Sequence, residues 1–131
     1  MKRRFELEDG ESIVQEWFAG IPNKGGRVAN YGGTLVLTNN RLIWEAIRLP
    51  RRFGLDQLIG VMLGDRKAIG VDLTDITEVR ADEKRAGILH IDTEEGSLRL
   101  IVSAARAPAT GNREARDGAV DRIRKACNAT I

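Results

Sequence analysis

The sequence predicts a mainly β fold, a sandwich or barrel of short strands closed by one C-terminal helix. Three observations carry that expectation. Short runs of strand composition recur along the first hundred residues, separated by turn residues. Asn39-Asn40 sits between two apolar runs, as a hairpin turn requires. After Asn112 the apolar period changes from that of a strand to that of a helix.

The expected strands can be taken in order. Ile13 to Phe18 is the first, ended by Gly20-Ile21-Pro22-Asn23. Val28 to Tyr31 leads into a strand that runs on through Leu35 to Thr38, and Arg41 to Ile47 returns. A two-residue Asn39-Asn40 loop places Leu37 opposite Leu42, Val36 opposite Ile43 and Leu35 opposite Trp44. Side chains alternate across a strand, so Leu35, Leu37, Leu42 and Trp44 share the core face. Val36 and Ile43 are expected on the outer face.

Val71 to Thr74 and Ile76 to Ala81 follow, and Ile88 to Thr93 with Ser97 to Ser103 reads as a second hairpin. With Glu95-Gly96 as its turn centre, Leu89, Ile91, Leu98, Leu100 and Val102 form one face. Asp92 is then opposite Arg99, a favourable charge pair, and His90 opposite Ile101. Asn112 is expected to cap a helix from Arg113 to Cys127. Its apolar stripe is Ala115, Ala119, Val120, Ile123, Ala126 and Cys127, with a solvated charged face opposite. Gly118 within that helix suggests close approach to a strand. The stretch from Arg48 to Gly70 fits an extra strand, a short helix or an ordered loop.

Bulk properties narrow the function classes. The 131 residues suit one domain with its own core, and apolar residues make up 42% against 31% charged. A formal charge of +2 demands neither nucleic acid nor an anionic membrane. Cys127 is the only cysteine, so no intramolecular disulfide can form. The segment from Met1 to Ser12 is charged and lacks an apolar signal core. The longest apolar run, about Leu58 to Leu63, is too short to span a bilayer. A cytoplasmic location, peripheral to a membrane at most, is the expectation.

Enzyme signatures are weak. His90 is the only histidine and lies in a strand, where a structural role is expected. One histidine and one cysteine in separate elements do not make a typical zinc site. The glycines of Gly20 to Arg27 lack the order of a phosphate-binding P-loop and read as turn formers. Nothing selects two of the scattered carboxylates as an acid/base pair. A non-catalytic protein is expected, without cofactor, metal or nucleic acid.

Order and content together resemble the GRAM and bacterial pleckstrin-homology-like families. The residues that carry the resemblance are Gly10-Glu11, the run from Gly33-Thr34-Leu35 through Thr38-Asn39-Asn40-Arg41-Leu42-Ile43, and Val71-Asp72-Leu73-Thr74-Asp75-Ile76-Thr77-Glu78-Val79. A closing strand pair and terminal helix complete it, so the likeness spans about Gly10 to Ala126. It implies a strongly bent antiparallel barrel of about seven strands, capped by the helix. In lipid-binding relatives, basic residues on the strand-connecting loops hold phosphates. The corresponding positions here are Lys24 and Arg27 in the first loop, and Arg48, Arg51, Arg52, Arg66 and Lys67 beyond the third strand. The dense basic signature of those relatives is missing from the first two strands, and Glu94-Glu95, expected near the same rim, would repel phosphate.

Two binding readings follow. One is a protein-interaction or self-association module using the apolar segment Leu55 to Leu63 and the outward Val36 and Ile43, with Phe53, Leu55, Leu58 and Ile59 as interface residues. The other is a weak binder of anionic, phosphoinositide-like lipid headgroups through Lys24, Arg27, Arg51, Arg52, Arg66 and Lys67.

Overall fold

Eight strands and one long helix make up the structure, a computed structural model that describes residues 3, 5–47, 59–63, 67–105 and 110–129. The strands are β1 (Ile13–Pro22), β2 (Ala29–Thr38), β3 (Arg41–Ala46), β4 (Val61–Leu63), β5 (Ala68–Asp72), β6 (Ile76–Ala81), β7 (Ile88–Thr93) and β8 (Gly96–Ser103). A short 3-10 turn, Leu73–Asp75, joins β5 to β6, and the helix α1 spans Arg113–Ala129. All pairings are antiparallel, in the spatial order β4-β5-β3-β2-β1-β8-β7-β6. The sheet is open, with β4 at one end and β6 at the other.

The first hairpin forms in the expected register, with Leu35 opposite Trp44, Val36 opposite Ile43 and Leu37 opposite Leu42. Leu35, Leu37, Leu42 and Trp44 enter the main core, which β5 to β8 and α1 complete. The Trp44 indole N–H donates to the Ala19 carbonyl at 3.0 Å, so the buried ring leaves no orphan donor. Gly33 makes that placement possible: a Cβ there would lie 2.7 Å from the indole nitrogen.

Val36 and Ile43 are not outward. Both are fully buried in a second, smaller core with Phe5 and Ala68, against which Leu63 packs. The segment before β1 crosses the outer face of β2, β3 and β5 and covers it. Arg3 fastens the segment by ion pairs to Glu16 and Glu45. Its guanidinium also lies over the Phe5 ring.

Several boundaries differ from expectation. β1 continues through Gly20 to Pro22 because Gly20, without a side chain, lets the Tyr31 carbonyl and Ala29 come close. β5 is Ala68–Asp72 rather than Val71 to Thr74, and the chain turns at Leu73–Asp75. The β7–β8 turn centres on Glu94-Glu95, with Thr93 opposite Gly96. Gly96 begins the strand instead of completing the turn, at φ 146°. That shift of two residues preserves the faces and changes the partners. His90 is opposite Arg99, and Asp92 opposite Ser97. Asp92 accepts instead from Arg80 at 2.8 Å, which draws its carboxyl below the usual range.

The helix is capped as expected, with Asn112 Oδ1 accepting the Ala115 amide at 2.8 Å. Ala119, Val120 and Ile123 are buried against the sheet, with Ala115, Ala126 and Cys127 packed beside them. Two arginines leave the expected charged face. Arg116 is buried and donates to the carbonyls of Asp82, Arg85 and Ile88. Arg124 donates to the Val79 carbonyl at 2.6 Å. Gly118 is exposed with nothing near its missing Cβ, so it marks no close approach.

Candidate functional site

Two clefts stand at different places on the open sheet. The first, of about 570 Å³, lies at the seam between the two ends of the sheet. That is within the range of small-molecule pockets. Its wall on one side is Gly60, Val61 and Leu63 with Gly70, Val71 and Asp72. Across from them stand Thr77, Thr93, Glu94 and Glu95, with Thr74 and Asp75 between. Glu8 and Arg41 complete it. Among the described residues its carboxylates are Glu8, Asp72, Asp75, Glu94 and Glu95, against the single guanidinium of Arg41.

Arg41 is already engaged. Its Nε and Nη2 donate to the two carboxylate oxygens of Glu11 at 2.8 and 2.6 Å, and Nη2 also reaches the Glu6 carbonyl. The Thr38 hydroxyl and the Glu8 amide donate to Glu11 at 2.6 and 2.9 Å. The Arg41 fork, supported by Thr38 and the Glu8 amide, holds the Glu11 carboxyl down to about 2 against the opposing effect of burial. Asn39 completes the junction, accepting from the Ser12 amide and donating to the Gly10 carbonyl. The motif residues Gly10-Glu11 and Thr38-Asn39-Asn40-Arg41 are therefore joined as one structural clamp. Arg41 also lies 3.4 Å from Glu8, so among the described residues Asp72, Asp75, Glu94 and Glu95 remain in excess in the cleft.

The wall at Val61 is the outermost strand of the sheet. Val61 is 68% exposed and Met62 37%. Val61 and Leu63 face the cleft while Met62 points the other way, as strand alternation requires. Gly70 opposite leaves the floor bare: a Cβ there would press on Leu63 at 3.1 Å. At the other end of the sheet, α1 packs on β6. Arg124 bonds the Val79 carbonyl of β6, and Arg116 bonds the carbonyls of Asp82 and Arg85 in the β6–β7 loop and of Ile88 at the start of β7. α1 packs on β6, β7 and β8, and among the described residues no strand pairs with the outer edge of β4.

The second cleft, of about 1100 Å³, lies between the β1–β2 and β6–β7 loops. Arg27, Arg80, Lys84 and Arg85 line it, and so do Glu78, Asp82 and Glu83. Asp82 organises the loop: its Oδ2 accepts the amides of Lys84 and Arg85, and its Oδ1 meets His90 Nε2 at 2.9 Å. The His90 contact, then the loop amides, lower the Asp82 carboxyl to about 2.

The expected lipid-site residues are divided. Arg27 is in the second cleft, with exposed Lys24 on the same loop. Lys67 sits before β5, its carbonyl accepting the Ala46 amide. Arg48, Arg51, Arg52 and Arg66, like Phe53, Leu55 and Leu58, lie outside the described residues. Ile59 is half-buried and packs on the main core. Glu94 and Glu95 do not share the Arg27 cleft; they belong to the seam. The sequence reading missed the seam because its carboxylates come from three separate places in the chain, Glu8, Asp72 with Asp75, and Glu94 with Glu95.

Among the described residues no group of three or more His, Cys, Asp and Glu could hold a metal ion, and no buried side-chain nitrogen or oxygen lacks a partner. Cys127 is half-buried, and burial pushes its thiol pKa up. No helix among them is long and apolar enough to cross a membrane. No family model matches this chain, and neither does any curated protein.

Proposed function

We propose that this chain is a GRAM or pleckstrin-homology-like module that binds a protein segment and performs no catalysis. The strand order supports the fold assignment. With the three-residue β4 set aside, seven antiparallel strands run β5-β3-β2-β1-β8-β7-β6, with β1 and β8 paired and the terminal helix packed on β6, β7 and β8. The observation that carries the binding reading is the open sheet end. β4 presents exposed Val61 and Met62 beside a cleft, where an extended segment can add as a further strand.

The test is selection of a random peptide library on the immobilised chain and on Met62→Pro. Proline removes a backbone N–H and is tolerated at an edge only where that donor is not needed. Enrichment on the wild type that is lost with Met62→Pro supports the reading. No enrichment, or enrichment indifferent to Met62→Pro, overturns it. Self-association is the second form of this reading, and sedimentation over a dilution series tests it.

The lipid alternative rests on one observation, the Arg27, Lys84 and Arg85 lining of the second cleft. Glu78, Asp82 and Glu83 in the same lining oppose it. Co-sedimentation with anionic vesicles across a salt series decides it: salt-sensitive binding restores that alternative, and no binding at low salt removes it.

A further inference from the structure

Two features meet at the seam, a terminal strand and a group of carboxylates. β4 ends the described sheet with its side chains exposed on both faces. Among the described residues the cleft beside it holds Glu8, Asp72, Asp75, Glu94 and Glu95, while the one guanidinium there, Arg41, is engaged by buried Glu11 and lies 3.4 Å from Glu8. At the opposite sheet end Arg124 bonds the Val79 carbonyl of β6, and among the described residues no strand pairs with the outer edge of β4.

We infer that the seam takes an extended segment of another protein in which basic and apolar residues alternate, paired alongside β4. This rests on the binding-module reading above and names the chemistry of what is bound. Main-chain hydrogen bonds to β4 supply affinity, and alternate side chains supply specificity. Residues on the cleft side of such a segment meet the carboxylates. Lysine or arginine there lays its methylene stem over Val61 and carries its charge to Asp72, Asp75, Glu94 and Glu95. Residues on the other side fall over Met62, which favours apolar groups. A second copy of this chain paired β4 to β4 would bring two carboxylate-rich seams together, which like-charge repulsion opposes. A phosphate-bearing ligand is disfavoured for the same reason.

The experiment measures fluorescence anisotropy with three labelled peptides that alternate valine with lysine, threonine or glutamate. Each is titrated with the full chain, with Glu94→Lys/Glu95→Lys and with Met62→Pro, after circular dichroism shows that each variant is folded. Glu94 and Glu95 are exposed turn residues, so their reversal leaves the core intact. The lysine–valine peptide is expected to bind the wild type best, with affinity that falls as salt is raised. The Glu94→Lys/Glu95→Lys variant should bind it roughly tenfold more weakly, and Met62→Pro should lose it. Equal binding of all three peptides, each lost with Met62→Pro, would overturn the charge inference and leave the strand-addition reading standing. Lysine–valine binding indifferent to Met62→Pro, or no binding of any peptide, overturns both.

Discussion

Glu11 accepts from Arg41, Thr38 and the Glu8 amide, and its carboxyl sits at about 2 against an ordinary value of 4.5. A carboxylate whose folded pKa is depressed stabilises the fold above its unfolded pKa. That contribution is lost as pH falls through the folded value. The Glu11→Gln variant should therefore be less stable than wild type at pH 7, and the deficit should shrink between about pH 4.5 and 2. Urea unfolding across that range measures it. Removing the other partner strands the charge. Arg41→Met should cost about 3–5 kcal/mol at pH 7, read from the shift in urea midpoint. Gly33 tests packing at the same resolution. Gly33→Ala forces a methyl group toward the Trp44 indole and the Glu45 carbonyl, and should cost about 1–3 kcal/mol.

Among the elements, the hairpin of β2 and β3 was the most legible in the sequence. Its two-residue loop and period-2 alternation set the register without reference to the rest of the chain. The β7–β8 hairpin was legible in its faces but not its partners. The glycine preference of turns drew the turn centre to Gly96, whereas Gly96 takes its positive φ as the first residue of β8. A shift of two residues keeps every side chain on its face. The burial of Val36 and Ile43 had a signal that went unused. Leu35-Val36-Leu37 and Leu42-Ile43-Trp44 are continuous apolar runs, the pattern of strands covered on both faces. What covers them, Phe5 on the segment before β1, is a long-range contact that no local period reveals. Phe5→Ala should uncover that face and cost about 3 kcal/mol. A rise in binding of an environment-sensitive apolar dye would report the exposure. The helix makes the opposite prediction. Gly118 is exposed and touches nothing, so Gly118→Ala should stabilise the protein by about 0.5–1 kcal/mol in thermal unfolding.

Taken whole, the molecule is an open sheet whose ends are treated differently. Arg124 of α1 bonds the Val79 carbonyl of β6, while β4, with no further strand paired to it among the described residues, stands beside a carboxylate-lined cleft. This asymmetry was not legible in the sequence. It arises from the return of distant segments to one seam, where Glu8, Asp72, Asp75, Glu94 and Glu95 meet. The basic residues noted in the sequence are, where described, apart from that seam: Arg27 lines the other cleft and Lys67 precedes β5. The most direct measurement is amide hydrogen exchange of the full chain with and without the lysine–valine peptide. Strand addition at the seam requires slowed exchange at Val61–Leu63, with smaller effects around Glu94-Glu95. Slowed exchange confined to the β6–α1 side or to the β1–β2 loop, with the β4 amides unchanged, would contradict it.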